Sequence, residues 1–212
     1  MKKLVSLIAV LGLASIAGAA TLQVDITAPA QVQCGEEFEV LVTLTSIGTG
    51  TEGAATGQFD LFTACQDSCV EPVGLTSPPP EIGKVETVWG PKLAAMSTVK
   101  AVKQDMDGDG DDDAEGATFF STHYNETTIG IGGDVLMTQT WICDGPCPCV
   151  CEIDADVLGA QYFDWSNVDN NYRTAYDEVI VNGAVVECVP EPATMGLLGF
   201  GGLAALIRRR RA

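Results

Sequence analysis

The sequence predicts an all-β protein, a single β-sandwich of the jelly-roll or Ig-like type. Apolar and polar residues alternate in many short runs, which is the pattern of strands with one buried face. Clusters rich in Gly, Pro, Ser and Thr, such as residues 48–57 and 76–82, separate these runs. Few windows show a helical period, so many short strands joined by turns indicate a sandwich.

Eight segments are predicted as strands. The second shows the pattern most clearly, because Phe38, Val40, Val42 and Leu44 would all lie on one face. In residues 92–104 helical and strand patterns compete, and we expect a strand in the C-terminal half. The other strands are expected at residues 22–27, 58–62, 117–122, 134–142, 150–156 and 178–186.

Residues 1–19 have the three parts of a secretory signal peptide. Lys2 and Lys3 supply the positive start, residues 4–16 form an apolar run, and a small-x-small pattern ends at Ala19. Cleavage after Ala19 would make Ala20 the first residue of the exported protein. The alternative, a short uncleaved membrane helix, fits this length and flank less well.

The C-terminal end combines a proline motif, an apolar run and a basic cluster. Pro190, Glu191 and Pro192 precede residues 195–207, which are apolar and interrupted only by glycines. A helix of this length is short for the roughly 30 Å hydrocarbon core. Four arginines would stay on the cytoplasmic side as a membrane stop, and they are Arg208, Arg209, Arg210 and Arg211. An ordinary C-terminal anchor is the alternative.

These three parts, in this order over residues 189–212, resemble the PEP-CTERM sorting signal of exported bacterial proteins. The resemblance implies an exosortase as partner, which cuts the tail near Pro190, Glu191 and Pro192. It also implies transient insertion in the inner membrane, then the cell surface or the medium, commonly in bacteria that make exopolysaccharide. The expected organisation is a signal peptide at 1–19, a β-sandwich at 20–188 and a sorting signal with a short hydrophobic helix at 189–212.

The positive charge of the chain is concentrated in its two ends. The whole chain has a formal charge of −18, but between residues 20 and 190 five cations stand against 28 acidic residues, which leaves −23. A nucleic-acid partner is not expected, because neutralising phosphates requires clustered cations. Such a surface would attract divalent cations and repel polyanions.

Residues 105–116 match the front half of an EF-hand-type calcium loop. Alternate carboxylates and a glycine at the sixth position are the ligand pattern that Ca²⁺ prefers. Position twelve is Gly116, where a bidentate Glu is expected, so weak binding is predicted. A solvated acidic turn is the alternative. The candidate ligands are Asp105, Asp107, Asp109, Asp111 and Asp113.

Eight cysteines in an exported chain predict disulfide bonds, with the connectivity left open. Cysteines two positions apart rarely meet the geometry of a disulfide, so the run at residues 147–151 is expected to pair with distant partners. Thiolate metal ligation is the alternative, but two separated Cys-x-x-Cys pairs are absent from the sequence. The disulfide candidates are Cys34, Cys65, Cys69, Cys143, Cys147, Cys149, Cys151 and Cys188.

The strand pattern of residues 22–27, 38–44 and 57–61, with a Gly-Glu turn before the second, is similar to the start of cohesin-like sandwiches. The resemblance implies a jelly-roll domain that is used for binding. A generic Ig-like sandwich fits the pattern nearly as well.

The residues predict no catalytic machinery. His123 is the single histidine, and no Gly-x-Ser-x-Gly or His-Glu-x-x-His motif frames it. We therefore predict a noncatalytic surface or matrix protein that binds exopolysaccharide or another surface protein. A secreted hydrolase acting on polysaccharide is the alternative, because the many acidic residues could include a catalytic pair. An aromatic cluster at residues 162–176 could stack on sugars, although core packing is the favoured role.

Overall fold

The computed structural model describes residues 19–49, 53–63, 69–75, 84–106, 108, 110, 112–120 and 129–191. These residues form strands joined by turns, with two short 3₁₀ helices at Pro91–Ala95 and Val168–Asn170. The strands are β1 Thr21–Thr27, β2 Gln31–Gln33, β3 Glu37–Ile47, β4 Ala54–Thr63, β5 Glu71–Pro72, β6 Gly74–Leu75, β7 Lys84–Val85, β8 Thr87–Trp89, β9 Ser97–Val99, β10 Val102–Gln104, β11 Asp113–Phe120, β12 Asp134–Ile142, β13 Cys149–Phe163, β14 Arg173–Ala175, β15 Glu178–Asn182 and β16 Ala184–Val189.

Within the described ranges the strands belong to two sheets. The first has the order β15-β1-β3-β12-β5, with β8 also paired to β12. The second has the order β2-β16-β13-β4-β11-β10-β7-β6, with β14 on β13 and β9 on β11. Buried residues of both sheets form one hydrophobic core. The predicted all-β sandwich is therefore confirmed.

The core follows from the alternation in the strands. Phe38, Val40, Val42 and Leu44 in β3 are buried, while the residues between them are not. Hydrophobic burial stabilises such a strand by about 25 cal/mol for each Å² of apolar surface removed from water. In β12 the alternation places Trp141 in the same core, with its whole side chain excluded from solvent.

One predicted strand is two strands in different sheets. Residues 178–186 are rich in valine and isoleucine and were predicted as one strand, yet β15 pairs with β1 in the first sheet, whereas β16 pairs with β13 in the second. Gly183 lies between them, and a Cβ atom there would approach the carbonyl oxygen of Ile153 to 2.9 Å. A glycine therefore lets the chain pass close to β13 as it changes sheet.

The other strand boundaries differ in length rather than in kind. β4 begins at Ala54, so the predicted turn cluster at 48–57 is shorter than expected, and β13 continues to Phe163. Residues 92–104 contain a 3₁₀ helix followed by β9 and β10, so the strand predicted in their C-terminal half is confirmed. The predicted loop at 76–82 and the last two residues of the 117–122 strand lie outside the described residues.

Candidate functional site

The outer surface of the second sheet exposes apolar side chains, and we call it the open face. The register places Leu158 of β13 opposite Gln58 of β4, Gln58 opposite Thr118 of β11, and Thr118 opposite Val99 of β9. Leu158 is 51% exposed and Val99 is 61% exposed. These two aliphatic side chains lie at the ends of the row, with Gln58 and Thr118 between them. Exposed apolar side chains gathered on one face are typical of a surface that binds a partner.

The same face carries an aromatic ring held by a cation. Phe120 lies two residues beyond Thr118 on β11 and is 40% exposed. The guanidinium carbon of Arg173 lies 4.2 Å from the centre of the Phe120 ring. A cation over an aromatic face contributes about 0.5–1 kcal/mol at an exposed site. Arg173 thus fixes the orientation of this ring on the open face.

The open face is acidic on the side away from Val99. Glu152, Asp154 and Asp156 precede Leu158 at the same outward positions of β13, and Asp156 stands directly opposite Asp60. Like charges placed opposite each other destabilise a sheet. The nearly buried carboxylate of Asp60 is stabilised because it accepts hydrogen bonds from the Gly116 amide at 2.6 Å and the Gln58 side-chain amide at 3.0 Å. The face therefore combines apolar contact with negative charge.

The acidic loop next to this face is only partly described, since Asp107, Asp109 and Asp111 lie outside the described residues. The Asp105 carboxylate accepts the Gly108 amide at 2.7 Å. Asp113 begins β11, is fully buried, and accepts the backbone amides of Thr63 and Met106, each at 2.9 Å. Asp113 thus connects the loop to β4, a role that the ligand pattern did not reveal. Calcium binding stays a prediction.

The end of the predicted calcium loop is strand rather than turn. Gly116, at position twelve, lies in a β-bulge of β11 with φ +84°, a conformation that favours glycine. Its amide is committed to Asp60. No side chain can therefore ligate a cation from this position, and the candidate ligands earlier in the loop would have to hold it.

Lys103 forms ion pairs that connect the acidic loop to β5. Its ammonium lies 3.0 Å from a carboxylate oxygen of Glu71 and 3.3 Å from one of Asp112. Burial alone would lower the pKa of Lys103, but the hydrogen bonds and charges of Glu71 and Asp112 outweigh it and raise that pKa. Beside these groups lies a cleft of about 400 Å³, also lined by Cys69 and Asp144.

The aromatic cluster of residues 162–176 packs on itself. Trp165 stacks on Phe163 with ring centres 5.8 Å apart and meets Tyr172 at 5.5 Å, and Tyr162 meets Tyr176 at 5.2 Å. Burial raises the pKa of Tyr176 to about 12, and its hydroxyl shares a hydrogen bond with Ser46 at 2.8 Å. These ring contacts support the packing role that the sequence favoured.

The predicted disulfides are present. The bonds Cys34–Cys147, Cys69–Cys149 and Cys143–Cys188 each connect the region of residues 143–149 to a distant cysteine or to the last strand. Cys151 is also disulfide-bonded, and Cys65 lies outside the described residues. The sulfurs of Cys69, Cys149 and Cys188 lie within 4.8 Å of one another, but all three are engaged in these bonds. The structure thus favours disulfides over thiolate ligation.

The last strand leads directly into the proline motif. Val189 ends β16, and its carbonyl oxygen accepts the Cys34 amide at 2.9 Å. Pro190 and Glu191 follow, while Pro192 and the four arginines 208–211 lie outside the described residues. Residues 189–211 match the PEP-CTERM protein-sorting motif. The predicted sorting signal is confirmed, and it implies an exosortase partner, export and a position outside the cell.

Two solved structures with similar architecture are cohesin modules. The third cohesin of ScaC from Acetivibrio cellulolyticus, determined in complex with the ScaB dockerin, is 14% identical, with a TM-score of 0.48 over 79% of this chain and 99% of that chain. A cohesin module of a family 33 glycoside hydrolase from Clostridium perfringens is 7% identical, with a TM-score of 0.45 over 82% of this chain and 98% of that chain. A search of curated proteins finds no match to the sequence.

Most of the predicted signal peptide and of the sorting signal lies outside the described residues. Residues 1–18 lie outside the described residues, so signal-peptide cleavage between Ala19 and Ala20 stays a prediction. In the part of the chain that the structure describes, no helix is long and apolar enough to cross a membrane.

The open face was missed from the sequence, although a signal for it exists. Along β13 the residues Glu152, Asp154 and Asp156 mark the outward positions by their charge. Leu158 continues the same outward series, so an apolar side chain stands where solvent contact is expected. The exposed Leu158, which follows three charged residues at outward positions of β13, was therefore the signal in the sequence for this surface.

Proposed function

We propose that the chain is an exported, noncatalytic binding module, sorted by an exosortase and active among exopolysaccharide and proteins at the cell surface. The match of residues 189–211 to the sorting motif is the observation that carries this proposal. The disulfide bonds support it, since such bonds persist in oxidising compartments outside the cytoplasm.

The open face is the proposed contact surface. Leu158, Val99 and Phe120 offer apolar contact, and the carboxylates of Glu152, Asp154 and Asp156 lie beside them. A partner with an apolar anchor and neighbouring Lys or Arg side chains complements this composition, because opposite charges steer association and select partners. This composition favours a surface protein as the direct ligand. Exopolysaccharide is the second proposed ligand.

Capture by the exported protein tests the proposal. The protein recovered from the cell surface or medium is immobilised and offered, separately, the exopolysaccharide and the surface proteins of the same bacterium. We expect retention of at least one of them with no increase in reducing sugar ends. Release of new reducing ends would support the hydrolase alternative, and retention of neither material would contradict a binding module.

Calcium is a proposed ligand of the acidic loop, through Asp105, Asp107 and Asp109 in its first half. Loops of this kind in extracellular proteins bind with Kd values of about 10⁻⁴–10⁻³ M. Titration with CaCl₂ is expected to release or absorb heat and to raise the unfolding temperature, and Asp105→Ala should weaken both effects. An exposed carboxylate on the 3₁₀ helix Val168–Asn170 provides the control, Asp169→Ala. Absence of heat and of a thermal shift in the unaltered protein would contradict the proposal.

A further inference from the structure

The residue that signal cleavage is predicted to expose is held by a carboxylate. Ala20 immediately precedes β1, is 4% exposed and belongs to the hydrophobic core. Its backbone nitrogen donates to Oδ2 of Asp177 at 2.8 Å. Its carbonyl oxygen accepts the Asp177 amide at 2.8 Å. Asp177 therefore contacts Ala20 through both its side chain and its backbone.

We infer that Asp177 is a binding site for the new α-ammonium group of the chain itself, an inference that rests on the proposed export and on cleavage between Ala19 and Ala20. Hydrolysis breaks the peptide C–N bond, and the water oxygen adds to the Ala19 carbonyl carbon. The Ala20 nitrogen becomes an amine, which takes up a proton at neutral pH because α-amino groups have pKa values of about 7.7–8.0. The contact at 2.8 Å then joins an ammonium to a carboxylate.

The change of charge strengthens a contact whose geometry already exists. The bond from the Ala20 amide already has a charged acceptor, and cleavage adds a full positive charge to its donor, so an ion pair replaces an amide–carboxylate hydrogen bond. The Asp177 amide keeps the Ala20 carbonyl in place, so the ammonium stays beside the carboxylate after cleavage. None of the ion pairs among the described residues includes Asp177, and its carboxylate is thus available to the new charge.

The ammonium site stabilises one edge of the first sheet. β15 is an edge strand, and it pairs in parallel with β1 from Thr21 opposite Glu178 to Asp25 opposite Asn182. Asp177 and Ala20 stand immediately before the first of these pairs. Removing the signal peptide therefore stabilises the pairing of β1 with β15, and the uncleaved precursor lacks this ion pair.

A double-mutant cycle tests the inference. The four proteins are the chain beginning at Ala20, the same chain with six Gly-Ser residues before Ala20, and Asp177→Asn in each. Asparagine can still accept the neutral hydrogen bond, so the cycle isolates the charge. Because Asp177 is exposed, we expect Asp177→Asn to change the unfolding equilibrium constant about two- to fivefold more in the chain that begins at Ala20. An equal change in both chains overturns the inference.

The matched control is Asp169→Asn, an exposed carboxylate on the 3₁₀ helix Val168–Asn170, which should have the same small effect in both chains. Mass spectrometry of the exported protein supplies the second measurement, with Ala20 expected as the first residue. A first residue of Thr21 overturns the ammonium site alone. A surface protein that retains residues 1–19 overturns both this inference and the proposed export pathway.

Discussion

Replacing Trp141 by alanine is expected to lower the free energy of unfolding by about 3–5 kcal/mol. The side chain is fully buried in β12 and is among the largest in the core, so its removal leaves a cavity that the sheets cannot fill. It also removes the indole N–H that donates to Oε1 of the buried Gln139 at 3.3 Å. Denaturant unfolding of the purified protein measures the loss.

Two further variants separate the effect of lost core packing from that of the lost hydrogen bond. Trp141→Phe keeps most of the ring volume and loses the N–H donor, so we expect an intermediate cost of about 1–3 kcal/mol. Trp165→Ala makes the same truncation at a residue that is 48% exposed, and it should cost much less than Trp141→Ala. Equal losses at Trp141 and Trp165 would contradict the assignment of Trp141 to the core.

Removing the Cys143–Cys188 bond is the second large effect. The bond connects Cys143, which directly follows β12, to Cys188 in β16, 45 residues further along the chain, and both cysteines are buried. Replacing both by alanine is expected to cost about 2–4 kcal/mol, because the unfolded chain regains the conformations that the cross-link excludes. Unfolding by denaturant under non-reducing conditions measures this cost.

Thiol titration of the unfolded double variant provides the control. The described cysteines are all oxidised, so those that remain in the variant should give no free thiol. Free thiols would mean that one of the remaining bonds had not formed, and a loss below about 1 kcal/mol with those bonds intact would contradict the stabilising role of the bond.

The strands were predictable where a short stretch of sequence determines them. The alternation from Phe38 to Leu44 requires one buried face, and β3 has that face. Alternation does not say which sheet a strand joins, and therefore β15 and β16 could not be distinguished within residues 178–186. Gly183 was the only local mark of the change of sheet.

Non-local features account for what the sequence left open. The disulfide pairing depends on which strand ends meet in space, so Cys34 and Cys147 could not be matched from their spacing. For the same reason the loop pattern assigned Asp113 as a calcium ligand without revealing its hydrogen bonds to Thr63 and Met106. The sorting motif was predictable because all its parts are contiguous in the chain.

The proposed binding surface can be tested through one matched pair of substitutions. Leu158→Asp replaces an apolar contact of the open face with a charge, whereas Val88→Asp places the same charge on β8 of the other sheet, at a residue that is 72% exposed. Both variants should fold, because each side chain already contacts solvent. Any difference in binding therefore reports the surface that the partner contacts.

The most direct measurement is the affinity of the unaltered protein and of these two variants for the surface protein or exopolysaccharide captured by the exported protein. A module that binds through its open face should lose affinity at least about tenfold with Leu158→Asp, the loss expected when an apolar contact of the binding surface is removed. Val88→Asp should bind like the unaltered protein. Equal affinity of all three proteins, or an equal loss in both variants, would contradict binding through the open face.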